Sequence, residues 1–257
     1  MVEITDVLHA GVVYLGKYIQ GAIKEEDLVK KLDVDKKLVV KVIYSGMAFE
    51  RYGREVHKYL AEKDMAPKYF FSFVMEGVDL PSEAKAIEDH HLMEYLSPPS
   101  KDSPGWISLD DLEKEFPKVA LRYKEDIKSA LYNVIEVLQQ AKFVHGDLRP
   151  NNLLVSIDIA DDCIVQFRQD SSSSRRLPYL KVIDFDWAGI AGEVEYPPHR
   201  NPDVEWPGEN GKVILDTHDK IMIDSWLAKW PHINVPDAEV GNRRGDEVTY
   251  PRIRISM

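Results

Sequence analysis

Between Ile127 and Asp184 the chain passes from a helical hydrophobic period to short strand-like runs, and this limits the folds open to it. Ile127, Ala130, Leu131, Val134, Val137, Leu138 and Ala141 recur at helical spacing, which predicts a core-facing helix. That stripe runs straight into VHGDLRPNN, and two short apolar strands follow, the second written LKVIDFD. Polar groups buried without partners are costly, and carboxylates and amides at the ends of apolar strands can project into a cleft. Asp147 and Asn152 then lie on a loop before one strand, and Asp184 projects from the end of the other.

Upstream, LVVKVIY from Leu38 to Tyr44 is a β-branched run typical of a buried strand, broken only by Lys41. Alone, Lys41 would read as an edge-strand lysine with its head in water. Burying an unpaired charge is costly, so together with the downstream motifs Lys41 reads as a functional lysine. A helix is expected from about Phe49 to Asp64, with Tyr52, Val56 and Tyr59 on one stripe, Glu55 beside it and Pro67 beyond its end. Strands are expected over Tyr69 to Met75 and around His91 to Leu96.

SPPSKDSPG, Ser97 to Gly105, is dense in turn formers and reads as a connector between two packed units. Asp158 to Leu177 reads as a hairpin insertion around QDSSSSRR. A last helix is expected from about Thr217 to Trp230, with Ile221, Met222, Trp226, Leu227 and Trp230 on its apolar side. The resulting division is 1–96, 97–230 and a charged, irregular tail at 231–257.

Phosphoryl transfer asks little covalent work of a protein, but it needs metal ligands, a group beside the attacking hydroxyl and cations on the phosphates. Asp147 can orient the hydroxyl and accept its proton. Asn152 and Asp184 can offer oxygens to magnesium, which favours sparse protein ligation completed by phosphate and water. These residues point to ATP and Mg2+.

HGDLRPNN resembles the catalytic loop of eukaryotic protein kinases, H-x-D-L-[KR]-P-x-N, and DFD resembles their D-F-G metal motif. The likeness spans about Gly11 to Trp226, and its wording is nearest divergent fungal protein-kinase-like proteins. It implies an α+β, two-lobed protein-kinase-like fold with a small β-rich lobe and a mainly helical, abbreviated second lobe. By the same resemblance Lys41 meets the α and β phosphates with Glu55 as its helix partner, Glu50 being the alternative. Met93 stands as gatekeeper, the backbones of Glu94 and Leu96 face the adenine, and Gly11 and Val13 end a glycine-rich loop. Arg149 neutralises the transferring phosphate, with a surface salt bridge as its other reading. Asp219 resembles an aspartate that holds the catalytic loop by accepting backbone hydrogen bonds.

The chain also departs from that pattern. Asp6 and Leu8 occupy the earlier glycine positions, where glycine lets backbone amides approach phosphate. Gly146 replaces an arginine that pairs with a phosphorylated activation loop, Asp186 replaces the last glycine of D-F-G, and no A-P-E follows. Three functions stay open: a kinase acting on Ser/Thr of a protein, a nucleotide-binding scaffold, and a small-molecule kinase, since HGD followed by ID-[FW] also occurs in aminoglycoside and choline kinases. A metal phosphohydrolase built on His218 and Asp219 with His57, His90 or His91 lacks ligand spacing.

The remaining composition narrows the partners. With 257 residues and 44% hydrophobic content the chain can bury a large core, and its formal charge of −11 argues against nucleic acid. Cys163, the single cysteine, reads as a packing residue. No apolar window reaches a membrane span and MVEITDVLHAG lacks signal-peptide character, so an intracellular, cytoplasmic location is expected, a nuclear one being compatible. The acceptor, protein or small molecule, is not written in the sequence.

Overall fold

The computed structural model describes residues 2–9, 13–18, 37–45, 52–76, 87–169 and 176–230. Gly11, Glu50, the middle of the QDSSSSRR run and the tail 231–257 lie outside the described residues. The protein is α+β, with antiparallel strand pairing throughout the described sheets.

The run around Lys41 forms β3 (Lys37–Ser45) in a five-stranded sheet with β1 (Val2–His9), β2 (Val13–Tyr18), β4 (Tyr69–Glu76) and β5 (Ile87–Glu94), in the order β1-β2-β3-β5-β4. Side chains alternate across a strand, so Leu38, Val40 and Val42 share one face with Leu92 and pack with Tyr14, Phe70 and Phe71. Lys41 points to the other face, directly opposite Val13 on β2 and His91 on β5. This is why an apolar run tolerates a lysine.

Helix α1 is Arg54–Glu62, shorter than expected at its start. Residues 49–51 lie outside the described residues, and Gly53 explains the late start. Its N–H donates to the Phe185 carbonyl at 2.7 Å, and a Cβ there would sit 2.5 Å from the Ala188 carbonyl oxygen. Val56 and Leu60 of α1, with Met65 and Ala66, belong to the main apolar cluster.

The connector Ser97–Gly105 holds only an isolated Ser100–Ser103 bridge before β6 (Gly105–Ser108) begins. Two short helices then follow that the hydrophobic pattern did not show, α2 (Leu109–Glu115) and α3 (Pro117–Arg122). Ser108 caps α2 by accepting from the Asp111 N–H at 3.0 Å, and Pro117 starts α3 where no amide donor is needed. The expected stripe forms α4 (Lys124–Gln140), burying Ile127, Ala130, Leu131, Val134, Ile135 and Leu138. Each fully buried aliphatic side chain of that size contributes about 1.5–3 kcal/mol relative to exposure.

Beyond α4 lie β7 (Phe143–Val144), β8 (Leu153–Asp158), β9 (Cys163–Ile164), β10 (Phe167–Gln169), β11 (Arg176–Pro178), β12 (Leu180–Val182) and β13 (Gly189–Ile190). β10 and β11 form the expected hairpin excursion. The last helix, α5, is His218–Lys229, and it buries His218, Asp219, Met222 and Ile223. Ile221 does not join its apolar side, being 45% exposed. Among the described residues no helix is long and apolar enough to cross a membrane.

Candidate active site

The two polar motifs meet because their apolar flanks pair. β8 and β12 run antiparallel with Val182 opposite Leu153, and the ladder continues as the Ile183 N–H donates to the Asn152 carbonyl at 3.0 Å. Strand pairing between LLV and LKV therefore carries Asn152 and Asp184 to the same end of the sheet. Asp184 itself has φ +67°, a left-handed conformation that costs a non-glycine residue on the order of 1–3 kcal/mol. Such strain persists only where surrounding contacts enforce it.

Phe185 supplies much of that enforcement. It is fully buried, stacked on His57 at 4.5 Å and edge-on to His145 at 5.2 Å and Tyr52 at 6.2 Å. With Phe185 pinned, the acids on either side of it both reach β3: Lys41 Nζ lies 2.5 Å from Asp184 Oδ1 and 2.5 Å from Asp186 Oδ1. Burial pulls the Lys41 ammonium down, but the two carboxylates outweigh burial and hold its pKa above the ordinary value. Burial likewise opposes the charge on Asp184, and Lys41 overcomes it, leaving Asp184 below the usual carboxylate range. For Asp186 burial and the neighbouring Asp184 charge win, and its carboxyl is pushed up to about 6.

The loop before β8 is held from beneath by Asp219. Its carboxylate accepts the N–H of His145 at 2.7 Å and of Gly146 at 2.9 Å, as the resemblance implied for this residue. Gly146 cannot be an arginine here. Its φ is +80°, and a Cβ would lie 2.7 Å from Ile214 Cδ1 and 3.2 Å from the Trp187 carbonyl oxygen. Burial raises the Asp219 carboxyl to about 6 despite those two donors. His145, buried and kept neutral, has its pKa lowered to about 4, and its Nε2 lies 3.1 Å from the Ile183 carbonyl oxygen.

Asp147 is buried and fully engaged. Arg149 donates Nε–H to Oδ1 and its terminal N–H to Oδ2 at 2.8 Å, while the Asn152 amide donates to Oδ2 at 3.0 Å and to the Asp147 carbonyl at 2.9 Å. Burial pushes the Asp147 carboxyl up to about 6, against the opposing pull of Arg149. The Arg149 guanidinium lies 5.1 Å from the Trp206 ring, and Arg200 lies 4.9 Å from the same ring. Among the described residues no donor reaches the Asn152 amide oxygen.

Of the residues expected at the site, Lys41, Asp147, Arg149, Asn152 and Asp184 are joined by these contacts or by the β8–β12 ladder. Val13 stands opposite Lys41 in the sheet. Met93 is buried with its sulfur 3.9 Å from the Tyr52 hydroxyl. Glu94 spends its N–H on the Lys68 carbonyl at 2.8 Å and its carboxylate on the Lys68 N–H at 3.1 Å, and Leu96 follows the end of β5. Glu55 is not brought to Lys41. Its side chain is 69% exposed and pairs with Arg54 at 3.2 Å and Lys58 at 3.7 Å, because the inner face of α1 carries His57 instead.

Sequence reasoning missed the shell around this centre. Tyr52 stacks on His91 at 4.2 Å and its hydroxyl meets His57 Nδ1 at 2.5 Å. A histidine at a buried helix position beside a tyrosine is too common a pattern to flag them. Asp186 was visible only as a departure from the D-F-G pattern, and nothing in the sequence joined it to Lys41. His218 contacts the Tyr196 hydroxyl at 3.2 Å, and among the described residues no cluster of three or more His, Cys, Asp or Glu has metal-holding geometry. The chain matches no protein-family model, and no curated protein matches it.

Proposed function

We propose that this chain is a Mg-ATP-dependent phosphotransferase of the protein-kinase-like superfamily that transfers the γ-phosphate to a hydroxyl, with serine or threonine of a protein as the favoured acceptor. In this reading residues 1–96 form the small lobe and 97–230 the larger, abbreviated one. One observation carries it. Lys41 and Asp184, separated by 143 residues, meet at 2.5 Å, and Asp184 follows a strand laddered to the loop of Asp147 and Asn152.

Each residue then has a task. Lys41 supplies a fixed ammonium to phosphate oxygens, and Asp147 receives the proton of the acceptor hydroxyl. Arg149 must leave Asp147 for that, and in leaving it becomes a cation for the transferring group. Asp184 and the unclaimed amide oxygen of Asn152 fit the hard-oxygen donors magnesium prefers, and this ion, when bound, neutralises charge on the phosphates. Asp219 and Gly146 hold the loop still while these exchanges occur.

A nucleotide-binding scaffold without turnover is the second reading, favoured by the full engagement of both Asp147 oxygens. Purified protein with Mg-ATP separates the two. The phosphotransferase reading expects labelled phosphate on the protein itself, on generic protein substrates or on small alcohols, lost in Asp147→Ala. No transfer to any of these would leave the scaffold.

A further inference from the structure

We propose that Asp186, and not Glu55, is the residue that positions Lys41 against the nucleotide phosphates. The inference rests on the phosphotransferase reading and names a positioning residue within the same site. Its first support is an ion pair, since Asp186 Oδ1 lies 2.5 Å from Lys41 Nζ, the same distance as Asp184 Oδ1, which alone adds a hydrogen bond. Its second is that Glu55 is occupied elsewhere, in solvent, with Arg54 and Lys58.

The seating of α1 keeps Glu55 there. Gly53 is bonded to the Phe185 carbonyl and has no room for a side chain against Ala188. Tyr52 fills the space beside the lysine, its ring 5.7 Å from Nζ and stacked on His91 at 4.2 Å. His57, one turn on, lies parallel to Phe185 at 4.5 Å. Turning α1 to bring Glu55 inward would break all of these contacts together.

Charge accounting explains why a second acid is present. A buried ammonium left without a counter-ion is strongly destabilising. If Asp184 gives its carboxylate to a metal, Lys41 loses one of its two partners, and Asp186 keeps it compensated and aimed. Asp186 stands where the resembled D-F-G motif has a glycine, so the sheet lysine and the acid of the distant strand form one unit independent of the helix.

A double-mutant cycle on binding of a fluorescent ATP analogue, measured with the full chain both with magnesium and in EDTA, tests this without requiring turnover. Asp186→Asn is expected to weaken binding about tenfold in the native background and under twofold in a Lys41→Met background, a coupling ordinary for residues sharing an ion pair. Asp186→Glu is expected to retain most of the affinity, and Glu55→Gln to show no coupling to Lys41. Asp186→Gly serves as the second variant should the asparagine misfold, as judged by melting. Equal losses in both backgrounds, or coupling of Lys41 to Glu55 instead, would overturn the assignment while leaving the phosphotransferase reading intact. A native protein that binds no analogue, with or without magnesium, overturns both.

Discussion

The loop around Asp147 and the strand around Lys41 both reach the segment of Asp184, but they are held there differently. The loop is fixed through its backbone: two amides on Asp219, a glycine at φ +80°, and a ladder rung from Ile183 to Asn152. Lys41 is fixed through its charge, by an ion pair to each of two acids more than 140 residues further along the chain. Backbone fixing sets where a group stands, whereas an ion pair can be exchanged for a ligand. In the proposed reading, a site that takes up and releases phosphates needs both kinds.

The largest expected effect falls on the backbone-fixed side. Asp147→Asn should lower phosphate transfer by about 10²–10⁴, far more than the loss of about 1–3 kcal/mol of stability from turning a donor toward Arg149 and Asn152 accounts for, because a proton acceptor is lost while the protein stays folded. If transfer persists, Asp147 is not the base and the contrast between the two regions loses its chemical meaning.

Next comes the support itself. Asp219→Asn presents an amide donor to one of two buried N–H groups and should cost about 1–3 kcal/mol in urea unfolding, with turnover falling alongside. Gly146→Ala should cost a similar amount, about 1–3 kcal/mol, since alanine meets Ile214 and Trp187 at a left-handed φ. Unchanged stability in both would mean the loop is held by something other than its backbone.

A smaller and more specific effect lies in the pH profile. Asp147 must be ionised to accept a proton, and its carboxyl is raised to about 6, so turnover should fall about tenfold per unit as pH drops below that value. Arg149 opposes the rise, so Arg149→Gln should move the acid limb of the profile to higher pH. A limb that stays in place would separate Arg149 from Asp147 functionally. The smallest effect is expected of Glu55→Gln, under about 0.5 kcal/mol in unfolding, as for other exposed ion pairs.

The same contrast explains what could be read before the fold was known. The loop was legible because its parts are contiguous: HGDLRPNN, the stripe before it and the strand after it are local signals, and Asp219 sits at a recognisable helix start. α1 was legible as a helix from its Tyr52, Val56 and Tyr59 spacing. Its first residue was not, because the Gly53 contact with Phe185 and Ala188 is tertiary. Lys41 was legible as a charge out of place, but not its second partner. Glu55 lay at a plausible spacing, and only packing decides that His57 turns inward and Glu55 outward. The helices α2 and α3 were hidden because two short helices, of seven and six residues, bury too few positions to show a period.

Phosphate transfer from γ-labelled Mg-ATP, compared between native protein, Asp147→Asn and Asp184→Asn, decides whether this cleft is a catalytic one. Transfer by the native chain to itself, to a protein or to a small alcohol is expected, with loss of it by at least about a hundredfold in each variant. Absence of transfer by the native chain across those acceptors, or equal transfer by all three proteins, would contradict it.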